Sequence, residues 1–348
     1  MNAQNLQSLL IEYDQKRNRA IVEADQRKIE LYAEIPGLEK IDNDINSISI
    51  RTIKSILTTQ NSKAPQELQK ELNILKGKKI EILKNAGKSL NDLSPHFECS
   101  NCNDTGYIKT SNGSVLCPCI EQRLYNIQYN NSNIYDLENQ NFDKFTFDYY
   151  ADTPDPDKYN SAISPRENMI KIKELCDKFI ENFDNPEENN LLFCGSPGLG
   201  KTFLSSCIAN EIIKKGKTVL YQTAPIMLDN IIDYKFGKTN NDIVKTISNV
   251  DLLIIDDLGT EAKNNLKITE LFNILNSRLL NQNNRITKTI ISTNLSLQEL
   301  YSAYEERILS RIIGNYKACY FFGEDIRIKK KFANNWFSIK LPKLIEEF

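Results

Sequence analysis

Residues 191–212 read LLFCGSPGLGKTFLSSCIANEI. The stretch opens on an apolar run suited to a buried strand and closes on a helical run. Between them stands Gly-x-x-x-x-Gly-Lys-Thr, from Gly195 through Ser196, Pro197, Gly198, Leu199, Gly200 and Lys201 to Thr202. Strand before and helix after are the context this motif requires. The glycines let successive backbone N–H groups converge on phosphate without a Cβ in the way. Lys201 then reaches the β- and γ-phosphates, and the Thr202 hydroxyl is offered to Mg²⁺. The pattern predicts an ATP/ADP site at the start of an α/β sheet.

Working downstream, DLLIIDDLG at 251–259 supplies a second buried strand that ends in Asp256 and Asp257. Ligands of α/β sheets sit at the carboxyl ends of strands. Asp256 is thus placed to hold Mg²⁺ through its water shell, and Asp257 to polarise the attacking water. KTIISTN at 288–294 ends a third strand in Asn294, whose amide can bond both the γ-phosphate and the lytic water. YEERILSRIIG at 304–314 sets Arg307 and Arg311 four residues apart, on one helix face, and FFGEDIRIKKK at 321–331 adds Arg327. An arginine delivered across a subunit boundary accelerates phosphoryl transfer by on the order of 10³–10⁵. Surface pairing with nearby glutamates is the ordinary alternative for each. From about residue 166 the runs NLLFCG, TVLYQT, DLLIIDD and KTIISTN alternate with helical segments, the signature of a parallel sheet.

Upstream, four of the eight cysteines crowd one Gly/Asn/Asp/Ser-rich stretch as Cys99-x-x-Cys102 and Cys117-x-Cys119, with 14 residues between the pairs. Paired thiolates on short turns suit four-coordinate Zn²⁺, and Gly106 and Gly113 permit the turns. The second pair is one residue tighter than the usual spacing; the single histidine, His96, could replace a ligand, but the four cysteines already complete the set. So short a segment cannot bury enough apolar surface to fold alone. Zinc binding, worth roughly 10–16 kcal/mol in such peptides, supplies the stability. Four thiolates leave no open position, so the site reads as structural. Cys176, Cys194, Cys207 and Cys319 stand among apolar neighbours and read as buried small hydrophobes.

Residues 1–90 read as three helices. Leu38, Ile41, Ile45 and Ile48 recur at three- and four-residue steps, as do Leu68, Leu72 and Leu75, followed by Ile82. IPGL at 35–38 and NSKAP at 61–65 break the pattern, which implies a hairpin or small coiled coil. Such an arm is either structural or a docking element. The boundaries read as a helical arm at 1–94, a four-cysteine zinc module at 95–125, a linker at 126–165, an ATPase domain at 166–338 and a C-terminal tail at 339–348.

The 348 residues leave room for two or three domains; 40% are hydrophobic, and the formal charge is −2. That balance excludes a protein basic all over, though a local cationic groove could still bind nucleic acid. The N-terminus lacks a basic region followed by an apolar one, and no apolar run approaches the ~18–20 residues needed to cross a bilayer. The expectation is a soluble, cytoplasmic protein with no membrane role. In a reducing compartment clustered thiols are metal ligands rather than disulfides.

The phosphate loop, the paired aspartates, the strand-end Asn and the late arginines together resemble the AAA+ ATPases. Within them the match is to bacterial replicative helicase loaders of the DnaC/DnaI family, whose ATPase domain is shared with IstB-type transposition ATPases. The resemblance covers about 166–330 and reaches upstream. CSNCNDTGYI and CPCIEQR resemble the zinc module of DnaI-type loaders, and FDYYAD and SPRENM resemble that family's approach to the ATPase core. The resemblance implies that Arg311 is the arginine finger and Arg327 a second sensor, and that Arg307 faces single-stranded DNA or a subunit. It implies an ATP-controlled escort that binds the hexameric replicative helicase and helps place it on single-stranded DNA, forming homo-oligomers with ATP. The chain carries Asp257 where a Glu is common, which suits slow hydrolysis and a switch. DNA-contact candidates are Lys263 and Lys267 or, elsewhere, Tyr234, Lys235 and Phe236. An IstB-like helper of a transposase and a nucleotide-binding adaptor without hydrolysis remain open. A sequence-specific DNA binder fits poorly, because no helix-turn-helix or basic stripe is present.

Overall fold

The computed structural model describes residues 3–58, 63–111, 113–129, 140–239, 242–262, 264–281 and 286–334. Lys263, the tail at 339–348 and part of the 126–165 segment lie outside the described residues. The chain divides into two compact units, Gln7–Cys117 and Pro118–Phe348 with Met1–Leu6.

In the first unit the helices are α1 (Ala3–Glu34), α2 (Leu38–Thr58) and α3 (Lys63–Asn85). Leu9, Tyr13, Ala20, Ala24 and Leu31 are buried along α1 at four- and seven-residue steps, one face of a helix. Pro36 and Gly37 end that helix, Gly37 at φ +84°, and Leu31, Ile35, Leu38 and Leu83 close a small core around the break. A buried carboxylate joins the three helices. Asp42 of α2 pairs with Lys79 of α3 at 2.6 Å and accepts from Tyr32 Oη of α1 at 2.6 Å. Burial pushes the Asp42 carboxyl up, but Lys79, Tyr32 and Lys28 outweigh it and hold the group below its ordinary value. A depressed carboxyl contributes stability above its unfolded pKa, near ~3.9, and loses it as pH falls through the folded value. Asp42→Ala is therefore expected to cost the arm about 1–3 kcal/mol at neutral pH. In denaturant unfolding followed by helical circular dichroism, that difference should shrink as the pH is lowered through the acid range.

After α3 a short hairpin pairs β1 (Tyr107–Thr110) with β2 (Gly113–Leu116), Tyr107 opposite Leu116. One cysteine pair precedes β1 and the other follows β2, so both stand at the open end of the hairpin, away from its turn.

The second unit begins with α4 (Pro118–Gln128) and a short α5 (Pro156–Tyr159), and then alternates. The order is α6 (Pro165–Glu181), β3 (Asn190–Gly195), α7 (Lys201–Lys214), β4 (Val219–Thr223), α8 (Ala224–Lys235), α9 (Ile243–Asn249) and β5 (Leu252–Leu258). It continues with α10 (Asn265–Asn281), β6 (Lys288–Thr293), α11 (Leu297–Ala303), α12 (Glu306–Asn315), β7 (Tyr316–Phe321) and α13 (Ile326–Asn334). Helix α6 starts at a capping box, Ser164 with Glu167, and has Pro165 in its first turn. The sheet order is β4-β5-β6-β3-β7 and every pairing is parallel. Strands β3 to β6 are buried on both faces, which is why they read as apolar runs, whereas the edge strand β7 exposes Ala318 and Tyr320. Leu191, Phe193, Tyr221, Leu252 and Ile254 pack with residues of α6 and α7 on one side. Leu192, Leu220, Leu253, Ile255 and Ile291 pack with residues of α8, α10 and α12 on the other.

Strand β7 is absent from the sequence expectation. It follows α12 directly, with Gly314 and Asn315 still in the helix and no connecting loop, and Lys317 interrupts its apolar run at the sheet edge. The opposite edge, β4, is covered by α4: the Gln122 side chain donates to Val219 O at 2.9 Å and accepts from Val219 N at 2.5 Å. Two buried cations spend their donors on backbone carbonyls. Arg278 donates to those of Ile247, Val250 and Lys288, and Lys288 Nζ to those of Asn185 and Glu188. Together they fix the entries to β5 and β6.

Candidate nucleotide site and cysteine centre

The loop between β3 and α7 takes positive φ at Gly195, Gly198 and Gly200. A Cβ on Gly195 would stand 2.1 Å from Phe321 O, and one on Gly198 2.1 Å from the Asp325 carboxylate. Both positions therefore require glycine on conformation, and Gly195, which faces backbone, on space as well. The loop borders a cavity of about 380 Å³. Pro197, Gly198, Gly200, Lys201 and Thr202 line one side, Asp257 and Asn294 the strand ends, and Ile326, Arg327 and Lys330 the side formed by α13. Ile326 N donates to Gly198 O at 2.9 Å, so α13 begins directly on the phosphate loop.

Lys201 is buried, with Nζ donating to Gly195 O at 2.6 Å, Ser196 O at 2.8 Å and Asn294 Oδ1 at 2.8 Å. Burial pushes the ammonium below its ordinary range, and Asp257 and Asp256 partly restore it. Thr202 Oγ1 and Tyr221 Oη both donate to Asp256 Oδ2, at 3.0 and 2.6 Å. Ser292 Oγ donates to the other oxygen, which also accepts from Asp257 N at 3.1 Å. Burial raises the Tyr221 phenol well above its ordinary value, which keeps it a donor. Thr202 Oγ1 and Asp256 form an all-oxygen set that fits Mg²⁺, a hard cation favouring carboxylate and hydroxyl oxygen.

Strand alternation would send Asp256 and Asp257 to opposite faces. A register shift between Ile255 and Leu258, with Asp257 at φ +55°, instead turns Asp257 into the cavity. Asp is one of the few residues that adopt this conformation readily. Burial and the neighbouring Asp256 charge raise the Asp257 carboxyl, while Lys201, Arg327 and a hydrogen bond with Asn294 oppose the shift.

Six of the residues expected at the site, Lys201, Thr202, Asp256, Asp257, Asn294 and Arg327, thus meet around one cavity or its wall. Arg311 is not among them. It lies exposed on α12, where Nε donates to Asn276 Oδ1 at 3.1 Å. Arg307 pairs with Glu305 at 2.5 Å and covers the Phe272 ring at 4.5 Å, the ordinary surface arrangement. The DNA-contact candidates are also engaged: Lys235 with Glu270 at 2.6 Å and Lys267 with Asp229 at 2.7 Å. Phe236 is 68% exposed, whereas Tyr234 packs against the core.

Several residues at the cavity carried no expectation. Gln140, Lys144, Phe145, Thr146, Tyr149 and Tyr150 line it from a segment that reads as connecting chain. Tyr150 is buried and donates to Leu199 O at 3.0 Å. The aromatic density of FTFDYY at 145–150 was the available signal.

The four clustered thiols lie with their sulfur atoms all within 4.8 Å of one another. Cys99 Sγ and Cys117 Sγ are 3.8 Å apart, and none of the eight cysteines is in a disulfide. A tetrahedron with Zn–S of ~2.3 Å has edges of ~3.8 Å, so the donor set fits zinc in identity and spacing. The turn is built locally. Asp104 accepts from Glu98 N and Cys99 N, both at 2.9 Å, and Cys117 N donates to Gly106 O at 2.8 Å. His96 is exposed and bonded to Asn91 O at 3.2 Å, outside the group of four. Cys176, Cys194, Cys207 and Cys319 are buried as expected. Burial pushes Cys194 up to about 11 and Cys207 and Cys319 to about 12, which makes these thiols unreactive at neutral pH.

The chain is 29% identical over 152 residues to the replicative helicase loader DnaC of Escherichia coli (strain K12), covering 43% of this chain and 60% of that protein. It is 28% identical over 144 residues to a putative insertion sequence ATP-binding protein of Sinorhizobium fredii, covering 40% of this chain and 57% of that one. The chain therefore spans about three fifths of these relatives' lengths. A crystal structure of the DnaC helicase loader aligns at 24% identity with a TM-score of 0.43, over 54% of this chain and 99% of that one. The five-stranded parallel sheet flanked by helices, with the phosphate loop between β3 and α7, is the α/β P-loop architecture expected from the sequence. Residues 159–333, half of the chain, match the family model described as IstB-like ATP binding protein, and the chain belongs to that family.

Proposed function

We propose that this protein is an ATP-switched loader that binds the hexameric replicative DNA helicase and helps place it on single-stranded DNA during replication, in the cytoplasm. The observation that carries the reading is the meeting of Lys201, Thr202, Asp257, Asn294 and Arg327 at one cavity, with Asp256 bonded to Thr202 behind it, in a chain related to DnaC over its ATPase part. In this reading Lys201 pairs with the β- and γ-phosphates, Asp257 accepts the proton of the attacking water, Asn294 orients that water and Arg327 senses the γ-phosphate. Thr202 and Asp256 would hold Mg²⁺, which when bound neutralises charge on the phosphate oxygens. Arg311, exposed and outside its own chain's cavity, is suited to act in the site of a second copy as an arginine finger, which requires ATP-dependent oligomers.

The helical arm, 1–94, and the cysteine module, 95–125, are the helicase-docking part; 166–338 is the ATPase. Ile11, Val22 and Ile29 are 56%, 63% and 69% exposed on α1. At 3.6 residues per turn they share one direction to within about 20°, opposite the buried stripe. Apolar residues so aligned offer a partner helix a seam. Zinc held by Cys99, Cys102, Cys117 and Cys119 would be structural there.

The family match and the Sinorhizobium relative also support a second reading, an ATPase assisting a transposase. Native mass analysis of the full chain with its host's replicative helicase separates the two. A complex that forms with ATP, and changes with ADP or with Lys201→Ala, is expected. No complex in any nucleotide state would favour the transposase helper.

A further inference from the structure

The Asp256 carboxylate is held by more than the phosphate loop. Tyr221 stands on β4, the neighbouring strand, where it pairs in register with Ile254 and so shares a face with Asp256 two residues on. Its side chain is 2% exposed and its hydroxyl lies 2.6 Å from Asp256 Oδ2. Ser292, fully buried on β6, approaches the other oxygen from the opposite side and also accepts from Asp257 N at 3.2 Å. Thr202 and the Asp257 amide complete the set of donors around this carboxylate. Packing alone does not ask for these hydroxyls. Phe and Ala would fill the same volumes without burying a polar atom.

We propose that Tyr221 and Ser292 are positioning residues that lock the Asp256 carboxylate in the orientation needed to receive Mg²⁺ beside Thr202. This rests on the ATP-site reading above. Neither residue lines the cavity, and both act through Asp256. Partners of a metal-binding carboxylate typically govern metal affinity by 10–100-fold when removed. Their loss should therefore appear in the Mg²⁺ requirement and not in nucleotide binding as such.

The test uses the full-length protein and a fluorescent ATP analogue, with Mg²⁺ titrated from EDTA-containing buffer. Tyr221→Phe should raise the Mg²⁺ concentration at half-effect by about 10–100-fold, with analogue affinity in EDTA equal to wild type. Ser292→Ala, which removes the donor to the other oxygen, should shift in the same direction. It carries the test alone if Tyr221→Phe does not fold. A folded variant with a lowered melting temperature but an unshifted Mg²⁺ dependence would overturn the proposal and leave the ATP site intact. Failure of the wild type to bind the analogue at any Mg²⁺ concentration would instead sink the ATP-site reading beneath it.

Discussion

Asp257→Asn is expected to lower ATP turnover by about 10²–10⁴-fold, the range over which a positioned general base acts, with ATP binding retained. The substitution is nearly isosteric, and Asn tolerates the left-handed backbone that Asp257 adopts at φ +55°. The bulge and the packing below it should therefore survive, so the loss would report chemistry and not folding. What disappears is the carboxylate that the cavity presents beside Asn294, with Lys201 close by. Phosphate release should be measured with helicase and single-stranded DNA present, alongside equilibrium binding of an ATP analogue. Unchanged turnover would assign the base elsewhere. A wild type that never turns over under these conditions would favour the non-hydrolysing adaptor.

Cys99→Ser combined with Cys102→Ser is expected to abolish stoichiometric zinc and unfold the segment around the β1–β2 hairpin, leaving ATP binding in place. Two of the four sulfurs within 4.8 Å of one another would be gone. The hairpin is four residues per strand and mostly exposed, so its own packing cannot hold it. Metal binding of roughly 10–16 kcal/mol is the dominant favourable contribution in such modules. Elemental analysis gives the metal content, and hydrogen exchange over 95–117 gives the order. Chelation of the wild type should reproduce both changes. A variant that keeps its protection pattern without metal would show that the turn bonds of Asp104 and Gly106 suffice.

The parts of this molecule that were legible in the sequence are those with local causes. The phosphate loop is set by its glycines, strands β3 to β6 by their apolar runs, and the α1–α2 break by Pro36 and Gly37. What could not be read depends on partners distant in the chain. Strand β7 is recognisable only once β3 is beside it, because Lys317 disguises its apolar run at the edge. The turn of Asp257 into the cavity arises from a register shift against β6, and alternation alone argues the reverse. Tyr221 reads as one more apolar strand residue until register with Ile254 brings it to Asp256. The cavity wall at 140–150 was hidden by polar neighbours that resemble connecting chain.

The most direct test of the central claim is helicase delivery itself. Single-stranded DNA is incubated with the replicative helicase, with and without this protein and ATP, and the helicase retained on the DNA is quantified. The expected result is ATP-dependent enrichment of helicase on DNA, lost with Lys201→Ala, and with Asp257→Asn trapped as a complex that still contains the loader. Equal helicase occupancy with and without the protein, at every nucleotide state, would contradict it.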